Sequence, residues 1–347
     1  MKYRKLGNTD IEVSVVCLGS MTWGEQNTRD QAFEQMDYAL SRGVNFIDTA
    51  ELYAIPPRAQ TYGSTEAIIG EWLHSRGQRD QVVLASKIAG PGEGWIDHIR
   101  RGKTRFNRGD ITAALDASLE RLQTDYLDLY QLHWPERQTN CFGRLGFEPA
   151  DEEHFTPLLE TLQALSDQVR AGKVRHIGLS NETPWGVMQF LHYAELADLP
   201  RIVSVQNPYS LLNRSYEVGL AEVSYREQAG LLAYSPLGFG VLSGKYLGGR
   251  KPEGARLTLY PDYDRYSNPA ALAATGKYVA LAHKHQLDPS QMALAYVHSR
   301  PFLTSSIIGA TTMQQLQSDI DSVDVALEDE VLEAIEAIHV EHPNPSP

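Results

Sequence analysis

Eight times along this chain a short apolar, largely β-branched run gives way to a stretch with the 3.6-residue periodicity of an amphipathic helix. The strand candidates are 15–18, 45–48, 82–87, 127–133, 174–179, 202–206, 230–234 and 305–309. Helices are expected near 29–42, 64–76, 109–122, 156–171, 184–197, 216–228, 270–285 and 313–323. Strands that alternate with helices run parallel and are covered on their outer face. Eight such units predict an α/β fold, the (β/α)8 TIM barrel. Periodicity alone also fits an open doubly wound sheet, which needs no such count. Residues 2–13 read as an N-terminal hairpin turning at Gly7-Asn8, and two extra helices near 289–299 and 328–338 fall outside the repeat. Residues 1–342 are expected to form one domain, and Pro343-Asn344-Pro345-Ser346-Pro347 a disordered tail.

Loop lengths give the barrel a polarity. Returns from helix to strand are short, as at Arg42-Gly43-Val44, Ala171-Gly172-Lys173 and Gln228-Ala229-Gly230. Loops from strand to helix are long, at about 49–63, 88–108, 134–155 and 235–269. Long loops in a compact domain are usually functional. All of these follow strand C-termini, the rim at which barrel enzymes work.

At that rim the sequence places an acid, a phenol, an amine and an imidazole. Asp48 ends one strand and Tyr53 follows it; Lys87 ends the next, and His133 the third. A phenol with a pKa near 10 is a poor proton donor at neutral pH. The Lys87 ammonium is expected to favour the Tyr53 phenolate and lower that pKa. Asp48 is the anion such a buried lysine needs, and His133 is placed to donate to a substrate carbonyl. The set suits protonation of a carbonyl oxygen as negative charge develops on it, with hydride as the partner reagent. No side chain supplies hydride; a nicotinamide cofactor does. Taken singly, Asp48 and Lys87 also read as a rim salt bridge, Tyr53 as loop packing and His133 as a core histidine.

Net charge is 31 − 44 = −13, which argues against a nucleic-acid or anionic-membrane surface. Cys17 and Cys141 cannot build a disulfide framework. With no signal peptide and no long apolar segment, a cytoplasmic location is expected. There is no H-E-x-x-H, His283-Lys284-His285 reads as a solvated helix end, and no metal is expected. Nor is there a Rossmann fingerprint: Gly238-Phe239-Gly240-Val241-Leu242-Ser243-Gly244 does not fit G-x-G-x-x-G. Trp23, Tyr62, Trp95, Trp134 and Tyr209 fall in rim loops and suit an aromatic substrate pocket, although packing explains each alone equally well.

Several strings, in order along nearly the whole chain, resemble the aldo-keto reductase family. They are Leu18-Gly19-Ser20-Met21-Thr22-Trp23-Gly24, Phe46-Ile47-Asp48-Thr49-Ala50-Glu51-Leu52-Tyr53, Ser86-Lys87, and Tyr126 through Pro135. Gly178-Leu179-Ser180-Asn181, Val205-Gln206-Asn207-Pro208-Tyr209, Tyr234-Ser235-Pro236-Leu237 and Ile308-Gly309-Ala310-Thr311 continue the match. The long loops are more similar to the bacterial and potassium-channel-β-like branch. The resemblance implies a TIM barrel, a small aldehyde or ketone substrate, NADP(H), and Tyr53 as proton donor. It also implies cofactor contacts. Ser180, Asn181 and Gln206 would bind the carboxamide, and Tyr234 would stack on the nicotinamide. Ser235, Leu237 and Ser243 would contact the pyrophosphate, and Gly309, Thr311, Gln315 and Asp319 the adenosine end. Lys245 and Arg256 would clasp the 2′-phosphate, which favours NADPH over NADH. Ser318-Asp319 stands where the family often has Glu-Asn, and Thr311 where a basic residue is common. Both departures bear on coenzyme preference. The alternative readings are a coenzyme-sensing regulatory subunit with vestigial turnover, and a Schiff-base lyase using Lys87.

Overall fold

The computed structural model of the protein describes residues 1–150 and 154–347. The chain opens with a hairpin, β1 (Tyr3–Lys5) against β2 (Glu12–Ser14). The barrel strands follow: β3 (Val16–Gly19), β4 (Phe46–Asp48), β5 (Val83–Ile88), β6 (Leu127–Leu132), β7 (Val174–Ser180), β8 (Ile202–Pro208), β9 (Gly230–Tyr234) and β10 (Leu303–Ile308). They close in the order β10-β3-β4-β5-β6-β7-β8-β9, every pair parallel. The closed (β/α)8 barrel settles the choice left open by periodicity.

The helices are α1 (Arg29–Ser41), α2 (Ser64–Arg76), α3 (Arg108–Leu122), α4 (Leu158–Arg170), α5 (Pro184–Leu196), α6 (Leu220–Glu227), α7 (Arg256–Leu259), α8 (Pro269–Lys284), α9 (Pro289–His298), α10 (Met313–Asp321) and α11 (Asp329–Glu341). Most start where a side chain satisfies an otherwise unpaired backbone N–H. Thr28 forms a full capping box with Gln31, and Asn107, Thr183, Asn268, Asp288 and Thr312 each accept from the third helical residue. Each cap stabilises its helix by about 1 kcal/mol. Gly70 lets α2 lie against α3, since a Cβ there would sit 2.2 Å from the Arg121 carbonyl oxygen.

Strand alternation sorts the barrel interior into layers. Leu6, Val13, Cys17, Phe46, Ala85, Leu129, Val203 and Leu232 form one apolar cluster low in the barrel. Leu6 and Val13 come from the hairpin side, so the hairpin plugs the base. Arg4 pins it by donating to the His298, Arg300 and Leu303 carbonyls at 2.5–3.0 Å. Two residues further along three strands, the layer above is polar: Asp48, Lys87 and Gln131. The outer faces of the strands, with Val16, Leu18, Ile47, Leu84 and Tyr130, pack on the helices.

Three expectations are corrected. The helix expected over 216–228 is broken at Gly219 (φ −153°, ψ −44°) into a 3-10 turn and the shorter α6. The loop 235–269 carries α7, which periodicity could not reveal in four residues. The last five residues, expected to be disordered, are docked. Ser346 is buried and its N–H donates to the Leu212 carbonyl at 3.0 Å. Asn268 Nδ2 donates to the Pro345 carbonyl at 2.9 Å, Arg265 Nε to the Pro347 carbonyl at 3.0 Å, and Asn344 accepts from the Arg214 N–H at 2.6 Å. Prolines alone signal disorder, but here every backbone polar group just named has a fixed partner.

Candidate active site

Asp48, Lys87 and His133 reach one rim because β4, β5 and β6 are neighbours in register. Asp48 pairs with Ala85, two residues before Lys87, and Lys87 pairs with Gln131, two before His133. Lys87 Nζ donates to Asp48 Oδ2 at 2.6 Å and to the Thr49 carbonyl at 2.7 Å, with both side chains buried. Tyr53 lies half-buried over this pair, its ring centroid 4.9 Å from Nζ. The Tyr53 and His133 rings meet edge to face at 5.7 Å. The structure thus brings together all four residues.

Their electrostatics differ in one respect from the expectation. Burial pushes the Tyr53 phenol up and outweighs the opposing pull of Lys87, so its pKa is raised, not lowered. Asp48 contributes to this by screening the lysine. Burial and then the Lys87 charge hold His133 well below the ordinary histidine range, so the imidazole is neutral. Its buried Nδ1 has no hydrogen-bond partner among the described residues. Lys87 stays cationic: burial disfavours the ammonium, but Asp48 and Tyr53 more than restore it.

The expected coenzyme residues lie along β7, β8, β9, β10 and the loops after them. Ser180 pairs with Gln206 across β7 and β8. Asn181 Nδ2 donates to the His133 carbonyl at 2.8 Å, and the Tyr234 hydroxyl donates to Asn181 Oδ1 at 2.6 Å. Ser243 Oγ bonds the Gly240 carbonyl at 2.8 Å. Gln315 accepts from the Thr311 N–H and hydroxyl, tightening the start of α10. A Cβ on Gly309 would meet nothing within 4 Å, so open space adjoins it. Lys245 and Arg256 are near enough for Arg256 to add to the burial that lowers the lysine pKa. Among the described residues neither forms a salt bridge. Arg256 lies over the Phe239 ring at 5.0 Å, and its charge is also felt at Tyr53. Two neighbouring cations with no salt bridge among the described residues suit an anionic ligand. The donor set therefore fits a dinucleotide phosphate. Asp319 is buried near Lys245, and burial pushes its carboxyl up to about 8.

The aromatic candidates separate. Trp134 touches His133 (centroids 4.9 Å), Trp95 (5.3 Å) and Phe142 (5.7 Å), and Trp95 is 48% exposed. Tyr62 packs beside this group and donates to Glu51 at 3.3 Å. Trp23 and Tyr209 do not join them. Trp23 is fully buried, bonded to Gln35 at 2.9 Å, and Tyr209 is fully buried against Phe302 with its hydroxyl on Glu217. For both, packing is the better explanation.

Sequence reading missed several residues. Gln131 donates to Asp48 Oδ1 at 3.2 Å; its place two residues before His133 on a strand was the available signal. Glu51 is buried, accepts from the Ala89 N–H at 2.6 Å and holds Arg100 through both oxygens, tying the Tyr53 loop to the loop after β5. Nothing local foretold that pairing.

The comparisons agree with this geometry. A sequence model described as the Aldo/keto reductase family matches residues 15–340. The chain belongs to the aldo/keto reductase family. As an aldo/keto reductase it is an oxidoreductase, and its relatives fit that reading. It is 52% identical to "Protein tas" of Escherichia coli (strain K12) over the full length of both chains. It is 34% identical to "Uncharacterized oxidoreductase YrpG" of Bacillus subtilis (strain 168), covering 97% of this chain and 96% of that one. It is 30% identical to "Norsolorinic acid reductase B" of Aspergillus parasiticus, covering 96% and 83%. No helix among the described residues of this aldo/keto reductase is long and apolar enough to cross a membrane.

Proposed function

We propose that the protein reduces an aldehyde or ketone with NADPH, with Tyr53 as the proton donor. The observation that carries the reading is the Tyr53 hydroxyl group's residue lying over the buried Lys87–Asp48 pair, edge to face with a neutral His133. When bound, the nicotinamide supplies hydride. Ser180, Asn181, Gln206 and Tyr234 would hold its head, and Lys245 and Arg256 its phosphates. The neutral His133 ring carries one N–H to orient the carbonyl oxygen. Tyr53 then gives its proton to that oxygen as negative charge grows there, and Lys87 stabilises the phenolate left behind. Trp95, Trp134 and Phe142 extend outward from His133 and suit an apolar, planar substrate.

The test is direct. Purified protein is mixed with NADPH and a panel of aldehydes and ketones, and loss of the reduced-nicotinamide absorbance is followed. Turnover that disappears in Tyr53→Phe supports the proposal. Turnover with no member of the panel, or undiminished turnover in the variant, overturns it.

A further inference from the structure

The hydrogen-bond series between β4 and β5 does not stop where β4 ends. The Thr49 N–H donates to the Ala85 carbonyl at 2.9 Å and the Glu51 N–H to the Lys87 carbonyl at 3.2 Å. At the next rung the Glu51 side chain takes over. Its Oε1 accepts from the Ala89 N–H at 2.6 Å, where the Glu51 carbonyl would accept in a longer parallel strand. The Tyr53 N–H then turns back onto the Ala50 carbonyl at 3.1 Å. Glu51 thus grips β5 at Lys87 itself and at Ala89, just past the strand's end. Tyr53 follows two residues later, so its distance from Lys87 depends on this attachment.

The Glu51 carboxylate has no acceptor position to spare. Oε1 also accepts from Arg100 Nη2 at 2.5 Å, and Oε2 accepts from Arg100 Nη1 at 2.9 Å and from the Tyr62 hydroxyl at 3.3 Å. An ionised carboxylate offers about four lone-pair directions, and all are taken. The side chain is wholly buried, so the charge is held in one geometry by these donors alone. Arg100 reaches it from a strained segment. Arg100 and Arg101 both adopt the left-handed conformation, with φ 45° and 58°, which residues with side chains keep only where their surroundings hold them. They help close a compact loop, in which the Gly92 N–H meets the Gly102 carbonyl at 3.1 Å, and this loop carries Trp95. Its Ile96 and Ile99 pack with Leu52, Ala89 and Trp134, and Tyr53 lies against that cluster.

We propose that Glu51 is a positioning residue for Tyr53, and that its bidentate pair with Arg100 makes one rigid unit of the proton donor and the aromatic wall at Trp95. Glu51 is sealed from solvent and acts through the backbone it shares with Tyr53. The pair holds the phenol at its distance from Lys87 and, through the Arg100 loop, holds Trp95 beside it. A planar substrate resting on Trp95 is thereby aligned with the donor. The inference rests on the carbonyl-reduction reading above.

The experiment follows steady-state reduction of 2-naphthaldehyde and of propanal by the full-length protein at saturating NADPH. Glu51→Gln keeps an acceptor for the Ala89 N–H but no longer offers Arg100 two charged oxygens. Its kcat should fall at least about tenfold with both aldehydes, while the NADPH dissociation constant changes by less than about twofold. Trp95→Ala should raise KM for 2-naphthaldehyde about fivefold in the wild type, but less than about twofold in the Glu51→Gln background, where the wall is already released. A carboxylate that only supported the fold would lower the amount of active enzyme alike for both aldehydes, and would leave KM and the Trp95→Ala effect as in the wild type. Arg100→Lys keeps the charge and loses the fork; it is measured beside Glu51→Gln in case that variant does not fold, and should show the same pattern in smaller measure. Folded variants with wild-type kcat, or a Trp95→Ala effect equal in both backgrounds, overturn the inference and leave the proposed function standing. So does a wild type that reduces other carbonyls but not 2-naphthaldehyde. A wild type that turns over no aldehyde or ketone overturns this inference and the proposed function together.

Discussion

At Tyr53 two opposing effects meet, and their balance decides when the proton is available. Burial raises the phenol and the Lys87 ammonium lowers it, and burial wins. A raised pKa means the protonated form persists through neutrality. For reduction, kcat/KM should therefore stay level through neutral pH and fall only in the alkaline range, above the ordinary phenol value of about 10. A pH–rate profile checks this; a fall centred near pH 7 assigned to Tyr53 would show that Lys87 dominates once ligands are bound. Tyr53→Phe keeps the ring and loses the donor, so kcat should drop by roughly 10²–10⁴ while NADPH binding is retained. Lys87→Met should act on the same step, and the double variant should lose much less than the product of the two losses. Asp319 gives a second pH test, read in binding. Its carboxyl is raised to about 8, so it is neutral below that pH and anionic above it. Above pH 8 it adds a charge near Lys245 that opposes a phosphate dianion. NADPH affinity should fall by roughly tenfold for each pH unit above that pKa at most, NADH affinity should change less, and Asp319→Asn should flatten the NADPH curve.

Among the elements, the two long loops that carry the aromatic residues are joined by one carboxylate. Glu136 accepts from the Phe106 N–H at 2.8 Å, the Thr156 N–H at 2.9 Å and Arg105 at 2.7 Å, with its side chain almost wholly buried. Glu136→Ala strands these donors and should cost about 1–3 kcal/mol of stability. If the loops shape the substrate cleft, KM should rise more than kcat falls, which steady-state kinetics on a folded variant would show. The elements themselves were legible in sequence wherever a long period repeats. β4 through β9 and the helices between them, apart from the broken one at 216–228, follow from alternation and from the 3.6-residue pattern. The clustering of Asp48, Tyr53, Lys87 and His133 was legible for the same reason, since each lies at or just beyond the end of a strand. Gln131 lies within a strand among apolar neighbours, where a single polar letter reads as noise. The Glu51–Arg100 and Arg137–Glu182 pairs join residues 45 or more positions apart, and no local pattern encodes such partners. The net direction of the Tyr53 shift was likewise hidden, because burial depends on the finished fold.

Across the whole molecule, charge is unevenly used. The chain carries a net −13, yet Lys245 and Arg256 lie near one another with no salt-bridge partner among the described residues. Two such neighbouring cations repel one another until an anion arrives. NADPH should therefore raise the melting temperature, with a gain of about 2.7 kcal/mol at a hundredfold excess over Kd. Calorimetry or dye-monitored melting checks this, and the rise should shrink as salt screens the phosphates. Lys245→Met and Arg256→Met should each reduce the shift for NADPH.

The docked tail bears on how the protein is best handled at the bench. Arg265, which holds the Pro347 carbonyl, is also close enough for its charge to act on the Tyr234 phenol, and a Cβ on Gly143 would lie 3.5 Å from that same carbonyl oxygen. Anything fused after Pro347 would thus start beside the candidate active site, whereas the hairpin at the other end seals the barrel floor. An affinity tag belongs at the amino terminus; at the carboxyl terminus it would crowd the rim that carries the candidate active site.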